Sequence, residues 1–120
     1  MIILTPARSL EVLLAAGVAT NELPIVASYV DVQTSDQAVV AYGSADTISA
    51  GTAAVTAVFA PDDLTTRTVK SLSIYNADTT GATILVRLNN GVTTRTLIRQ
   101  TIDTLGTLEY TDAGWHIPGY

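Results

Sequence analysis

The feature that most restricts the fold of this chain is its punctuation. Short runs of β-branched and aliphatic residues are cut by Gly, Pro, Asn and Asp at the roughly 8–12-residue spacing of a sandwich or barrel, and no segment keeps a helical period. The first runs are Met1–Leu4, closed by Thr5-Pro6; Leu10–Ala15; Pro24–Val32; Gln37–Tyr42; and Ala53–Ala60, which stops at the turn Pro61-Asp62-Asp63. Five more, Thr66–Tyr75, Ala82–Leu88, Val92–Ile102, Thr107–Thr111 and Trp115–Ile117, read as a C-terminal meander. Their turns are Asn76–Gly81, Asn89-Asn90-Gly91, Thr104-Leu105-Gly106 and Asp112-Ala113-Gly114. The small-residue stretch Gly43–Gly51 reads as a loop. A short helix starting after Ser9 competes with a strand only in Ala7–Ala16, and the strand is preferred. The expected fold is all-β: one antiparallel β-sandwich, jelly-roll-like, over residues 1–120, with residues 1–6 as an extended N-terminal arm.

The hairpin around Gly91 offers two registers. A two-residue turn at Asn90-Gly91 pairs Leu88 with Thr93. A three-residue loop with Gly91 as its left-handed residue pairs Leu88 with Val92 and gathers Ile84, Val86, Leu88, Val92, Ile98 and Ile102 on one face. A one-residue slip inverts a strand's faces, so the register that buries more apolar side chains is expected, and that is the second. It leaves Leu85 and Leu97 on the opposite face beside Arg87, Arg95 and Arg99, an arginine-framed apolar strip of the composition found at protein interfaces. Two isolated surface leucines are the plainer reading of the same pattern. The apolar ends, Ile2 and Ile3 at one and Tyr120 at the other, are further candidate contacts, docking either on a neighbouring subunit or on the chain's own sheet.

Charge sharpens the question of what covers the surface. Only 14% of residues are charged against 48% hydrophobic, where an ordinary soluble domain carries roughly 25% charged residues. Either neighbouring proteins cover part of the exterior, or the scattered threonines and serines solvate it. The net charge of −5 and six dispersed basic residues argue against a nucleic-acid partner. No stretch reaches the roughly 20 apolar residues of a membrane span. Leu10–Ala19 superficially resembles the apolar part of a secretion signal, but Glu11 interrupts it and Met1–Leu4 is not basic, so a buried strand is preferred. There is no cysteine, hence neither a disulfide nor a thiolate metal site, and such a chain can fold in a reducing cytoplasm.

Reactive side chains are few. His116 is the sole histidine, in a strand beside Trp115, and reads as a half-exposed strand residue. No G-x-S-x-G, G-x-x-x-x-G-K-[ST] or G-x-G-x-x-G is present. Asp62-Asp63 is the one adjacent acidic pair, placed in a proline turn where aspartate caps backbone amides. Asp103, Glu109 and Asp112 read as solvated turn and edge charges. A non-enzymatic protein without catalytic, metal or cofactor residues is therefore expected. Tyr110 and Trp115 bracket the last turn and are expected to stack across it. Were they to share an exposed face with Tyr75, they would form a carbohydrate-binding platform.

One segment carries a resemblance. Arg67, Val69, Lys70, Leu72, Ile74 and Asn76 form an R-x-V-K-x-L-x-I-x-N strand after Ala60-Pro61, and Thr83, Ile84 and Val86 form a T-I-x-V strand. The Gly91 hairpin follows, then Leu108, Tyr110, Asp112, Gly114 and Trp115 as L-x-Y-x-D-x-x-G-W. Together with the opening IILTPARSLEVLLAAGVATNELPIVASYVDV, including Ser28-Tyr29-Val30-Asp31, this resembles small structural proteins encoded by tailed bacteriophages. Gly43–Gly51 matches little of that pattern, and Asp103–Gly106 lacks the expected glycine-glutamate pair. The resemblance implies a virion structural protein assembled in the host cytoplasm. The favoured reading is a capsid decoration (cement) protein, a homo-oligomer and preferably a trimer, on the outer head surface against the major capsid protein. A neck, tail or fibre-attachment component is the alternative, and a carbohydrate-binding module the third.

Overall fold

The structure, a computed structural model, describes residues 1–118, so Tyr120 lies outside the described residues. Alternation sets each strand. In β2 (Ser9–Leu14) the side chains of Leu10, Val12 and Leu14 are buried while Ser9, Glu11 and Leu13 face outward. That period of two excludes the short helix considered for this segment. The other strands among the described residues are β1 (Ile2–Leu4), β3 (Pro24–Gln33), β4 (Val39–Ile48), β5 (Val55–Val58), β6 (Thr65–Tyr75), β7 (Ala82–Asn89), β8 (Thr94–Ile102), β9 (Thr107–Thr111) and β10 (Gly114–His116). They form two antiparallel sheets. The first runs β10-β9-β6-β3-β4 with β1 also on β6; the second runs β5-β2-β7-β8. The fold is all-β, two sheets packed on one core, as a β-sandwich requires.

The core lies between the inner faces. Leu10, Val12, Leu14, Val58, Ile84, Val86 and Ile102 come from the second sheet and meet Leu4, Ile25, Val69, Leu72, Ile74 and Leu108 from the first. Each such side chain contributes about 1.5–3 kcal/mol relative to exposure. The N-terminal arm docks on its own sheet: Ile2 pairs with Val69, Ile3 with Thr68 and Leu4 with Arg67. The five C-terminal runs are five strands but not one continuous meander, because β6, β9 and β10 lie in the first sheet and the β7–β8 hairpin in the second.

Two local expectations are corrected. Most of Gly43–Gly51, read as a loop, belongs to β4, which pairs with β3 from Pro24↔Ile48 to Val32↔Val39. The inward positions Ala41, Gly43, Ala45 and Thr47 are all small and carry no apolar signal. At the Gly91 hairpin neither expected register occurs. Asn89 pairs with Thr94, and the Asn90 carboxamide accepts hydrogen bonds from the amides of Val92 and Thr93, closing a four-residue connection that keeps Gly91 left-handed (φ 89°). Val92 is consequently exposed, not in the core. A β-bulge at Leu97 absorbs one residue, so that Ile98 and Ile102 still face inward opposite Val86 and Ala82. Burial is recovered by a bulge where the turn would have forfeited it.

Candidate functional site

Polar clusters close the two ends of the sandwich. At one end, Asp31 on β3 and Arg67 on β6 are directly opposite. Arg67 Nε and Nη2 donate to the two Asp31 carboxylate oxygens at 2.8 and 3.0 Å, and Nη1 donates to the carbonyl of Phe59 at 2.9 Å. The guanidinium lies 4.1 Å from the ring centroid of Tyr29. The hydrogen bond to Asp31 is the first cause that raises the Arg67 pKa above its ordinary value. Tyr29 in turn lies over Gly43, its cross-strand partner, where a Cβ would fall 2.4 Å from the ring. The ring covers a position that only glycine leaves open.

At the other end, Asp78 is buried in the β6–β7 turn and accepts hydrogen bonds from the amides of Ala19, Thr20, Asn21 and Thr79, at 2.8 to 3.1 Å. These amides, that of Ala19 foremost, hold its carboxyl far below the usual carboxylate range. Beside it, the fully buried Asn76 donates to the carbonyls of Thr80 and Ile102 and accepts from the Asp78 amide, while Thr104 Oγ1 bonds the Asp78 carbonyl. Three loops are thereby tied to one node. Both clusters satisfy themselves internally, which identifies them as structural.

The candidates for chemistry are placed apart. His116 Nε2 lies 3.0 Å from Glu109 Oε2, a cross-strand pair on the exposed face of the first sheet. Asp62 and Asp63 are exposed, the Asp62 carbonyl accepting the Thr65 amide as a turn residue does. Among the described residues, no three His, Asp or Glu side chains come together as a metal site would need. Trp115 and Tyr110 do meet across the last hairpin, ring centroids 5.0 Å apart at 53°. Tyr110 points into the core, where burial raises its pKa, whereas Tyr75 is on the outer side next to the buried Ile74. The three rings share no exposed face, so the sugar-platform arrangement does not form.

The proposed contact residues separate as well. Ile2 is buried within its own chain by the alternation of β1, which removes it from the surface and leaves Ile3 exposed. Leu85 lies on the outer face of the second sheet beside Leu13 of β2 and opposite Arg99 of β8. Leu97, at the bulge, is exposed. Arg87 is not free: its Nε donates to Glu11 at 2.9 Å, and Asn89 holds the other carboxylate oxygen at 3.1 Å. Arg95 pairs with the inward-facing Leu88, because the bulge shifts the alternation, and so leaves the strip that Arg99 still borders.

A larger apolar surface went unnoticed in the sequence. On the outer face of the first sheet, Ile3, Thr68, Val30 and Tyr42 form one cross-strand row, and Thr66, Val32 and Val39 the next, with no charge in either. The row ends at β4, a ten-residue strand paired on one side only, whose sole charge is Asp46. Tyr42 is 78% exposed, and Leu64, close by, is 82% exposed although its backbone is left-handed (φ 68°). A branched residue in that conformation is strained, and here no burial compensates for it. Val40, Asp63 and Leu64 line a shallow cleft beside this edge. Across the molecule, Ile98, Leu108, Trp115 and Ile117 line another cleft of about 280 Å³ between β8 and the last hairpin. Val39 and Tyr42 fall in the run Gln37–Tyr42, which reads as a strand; what the sequence does not give is that this strand pairs with β3 and continues a row through β6 to β1. Compared with known proteins, the chain matches no family model, no curated protein and no solved structure at a significant level.

Proposed function

We propose that this chain is a structural component of an assembled particle, a capsid decoration protein that seats on the outer head surface of a tailed phage and stabilises the mature shell. The observation that carries the reading is the uncharged row Ile3–Thr68–Val30–Tyr42 running out to the bare edge of β4. Long, uncharged edges template pairing with other chains, and monomeric proteins usually blunt them with charge, proline or a covering segment. Here the eight residues Ala41–Ile48 run without a bulge and hold one carboxylate. The strained, exposed Leu64 adds to the picture, because solvent gives a left-handed leucine no advantage over glycine or asparagine.

Docking on a composite site of the major capsid protein would stabilise the shell by mass action, since the module binds only the mature form. Seating on several subunits at once lets modest contacts accumulate. The resemblance to small phage structural proteins supports a place in a virion, and the surface supplies the reason for a partner. Quantitative mass spectrometry of purified particles tests it. On the order of hundreds of copies per particle is expected, whereas about a dozen assigns the chain to a neck or tail ring. A second measurement uses Leu64→Gly, which is expected to leave the melting temperature equal or slightly raised while weakening particle binding. Unchanged binding would separate this edge from the docking surface.

A further inference from the structure

The charges of the chain are sorted by edge. Between Arg8 and Arg67 there is no lysine or arginine, while Glu11, Glu22, Asp31, Asp36, Asp46, Asp62 and Asp63 all fall in that interval. Of these, Glu11 is ion-paired to Arg87, Asp31 to Arg67, and Glu22 accepts from Ser49 and Gly51. Of the four that remain, Asp46 lies on β4, an open edge of the first sheet, Asp36 in the turn that enters it and Asp63 on the cleft beside it, while Asp62 stands next to Asp63 in the Pro61 turn, within electrostatic reach of Arg67. β8, an open edge of the second sheet, is the reverse. β8 contains Arg95 and Arg99 and no acid, both arginines are exposed, and neither has an ion-pair partner among the described residues. The two strands are of similar length, ten and nine residues, and end different sheets.

We infer that the partner of the β4 edge is the β8 edge of a second copy of this chain, in a head-to-tail contact. A two-fold contact of β4 with β4 would set carboxylates against carboxylates, and one of β8 with β8 would set arginines together; like-charge juxtaposition costs several kcal/mol. Only the heterologous pairing brings the acidic edge to the basic one. It also matches knob to cleft: β4 offers Val39, Val40 and Tyr42, and β8 borders the apolar cleft of Ile98, Trp115 and Ile117. A heterologous contact repeats, giving a ring where the rotation closes and a filament where it does not. The pairing uses the backbone edge of β4 and leaves Ile3, Thr68 and Val30 on the outer face of the sheet for a particle surface, so it does not depend on which particle the chain belongs to.

The test uses the full chain and two variants at exposed positions, Ser44→Lys with Asp46→Lys on β4, and Arg95→Glu with Arg99→Glu on β8. Native mass spectrometry and sedimentation at low salt and micromolar concentration should find the unmodified chain at a multiple of 12.6 kDa. Each variant alone should be monomeric, with an affinity loss on the order of a hundredfold. Mixing the two should restore at least the 1:1 heterodimer, because each keeps the edge that the other has reversed. Melting curves confirm that both variants are folded. Salt reads the same pairing without substitution, since going from about 0.01 M to about 1 M shortens the screening length from about 30 to about 3 Å and should dissociate the unmodified assembly. A monomeric unmodified chain overturns the inference, as does a β8 variant that still associates alone. So does a mixture of folded variants that stays monomeric.

Discussion

The two ends of the sandwich solve one problem with opposite chemistry. Where the sheets stop, backbone and side-chain polar groups must be satisfied away from bulk water. At the Asp31–Arg67 end this is done by two side chains on neighbouring strands, directly opposite in register, with an aromatic ring stacked on the cation. At the Asp78 end one carboxylate gathers backbone amides from a loop 57 to 59 residues away, with no cation involved. The first is a sheet feature, fixed once β3 and β6 pair. The second is a loop feature, and it fixes the loops. Loss of the ion pair should therefore cost local packing energy, while loss of the carboxylate should unfasten segments.

Replacing Asp78 with Ala should give the largest effect, a melting temperature lower by on the order of 15 °C, because four backbone amides lose their acceptor together. Hydrogen exchange should show Ala19, Thr20, Asn21 and Thr79 losing protection first. Asp78 also sets an acid limit. Its folded pKa is depressed, so its stabilisation is complete above the ordinary value of 3.8 and is lost as the pH falls below it. Melting curves below pH 3.8 should fall steeply for the unmodified chain and less steeply for Asp78→Asn; parallel curves would mean that the carboxylate's charge is irrelevant.

At the opposite end, Arg67→Ala should cost about 3 kcal/mol in urea denaturation, since it strands a buried carboxylate. Arg67→Lys should recover less than half, because an ammonium can neither fork onto both Asp31 oxygens nor stack on Tyr29 as a planar group. Full recovery by lysine would reduce this end to a simple charge pair. Gly43→Ala should cost about 1–2 kcal/mol by driving the ring of Tyr29 off the guanidinium, and a neutral result would mean that the ring moves freely. The smallest effect belongs to a polar atom that joins neither cluster. The buried Tyr110 hydroxyl makes no hydrogen bond of good geometry, the Ile2 backbone being its only near partner among the described residues, so Tyr110→Phe should be neutral or stabilise by up to about 1 kcal/mol. A clear loss would reveal a partner for it.

What was legible in the sequence was what local alternation encodes. The strand in Leu10–Ala15, the strand Ala82–Leu88 and the left-handed Gly91 followed from period and turn chemistry alone. Even at Leu97, where the register was misread, the inward placement of Ile84, Val86, Ile98 and Ile102 held, because burying those side chains is worth more than a regular ladder. The surface was less legible. Leu85 and Leu97 stood out by composition, yet Arg87 was already committed to Glu11 across β2, a pairing of residues 76 apart. The apolar row was hidden because its members come from four strands whose order in the sheet no local pattern gives.

The sequence by itself determined that this chain would be a succession of short strands with two faces, because a side-chain period of two and turn-forming residues act over a few neighbours. Tertiary structure decided the rest: that Gly43–Ile48 is a strand, that Asp78 clasps a distant loop, and that β4 and β8, at one edge of each sheet, carry opposite charge. The physical reason is the same in each case. β4 is a strand because β3 offers it a ladder and Tyr29 covers its glycine, and an edge is an edge only by virtue of which strands find other partners.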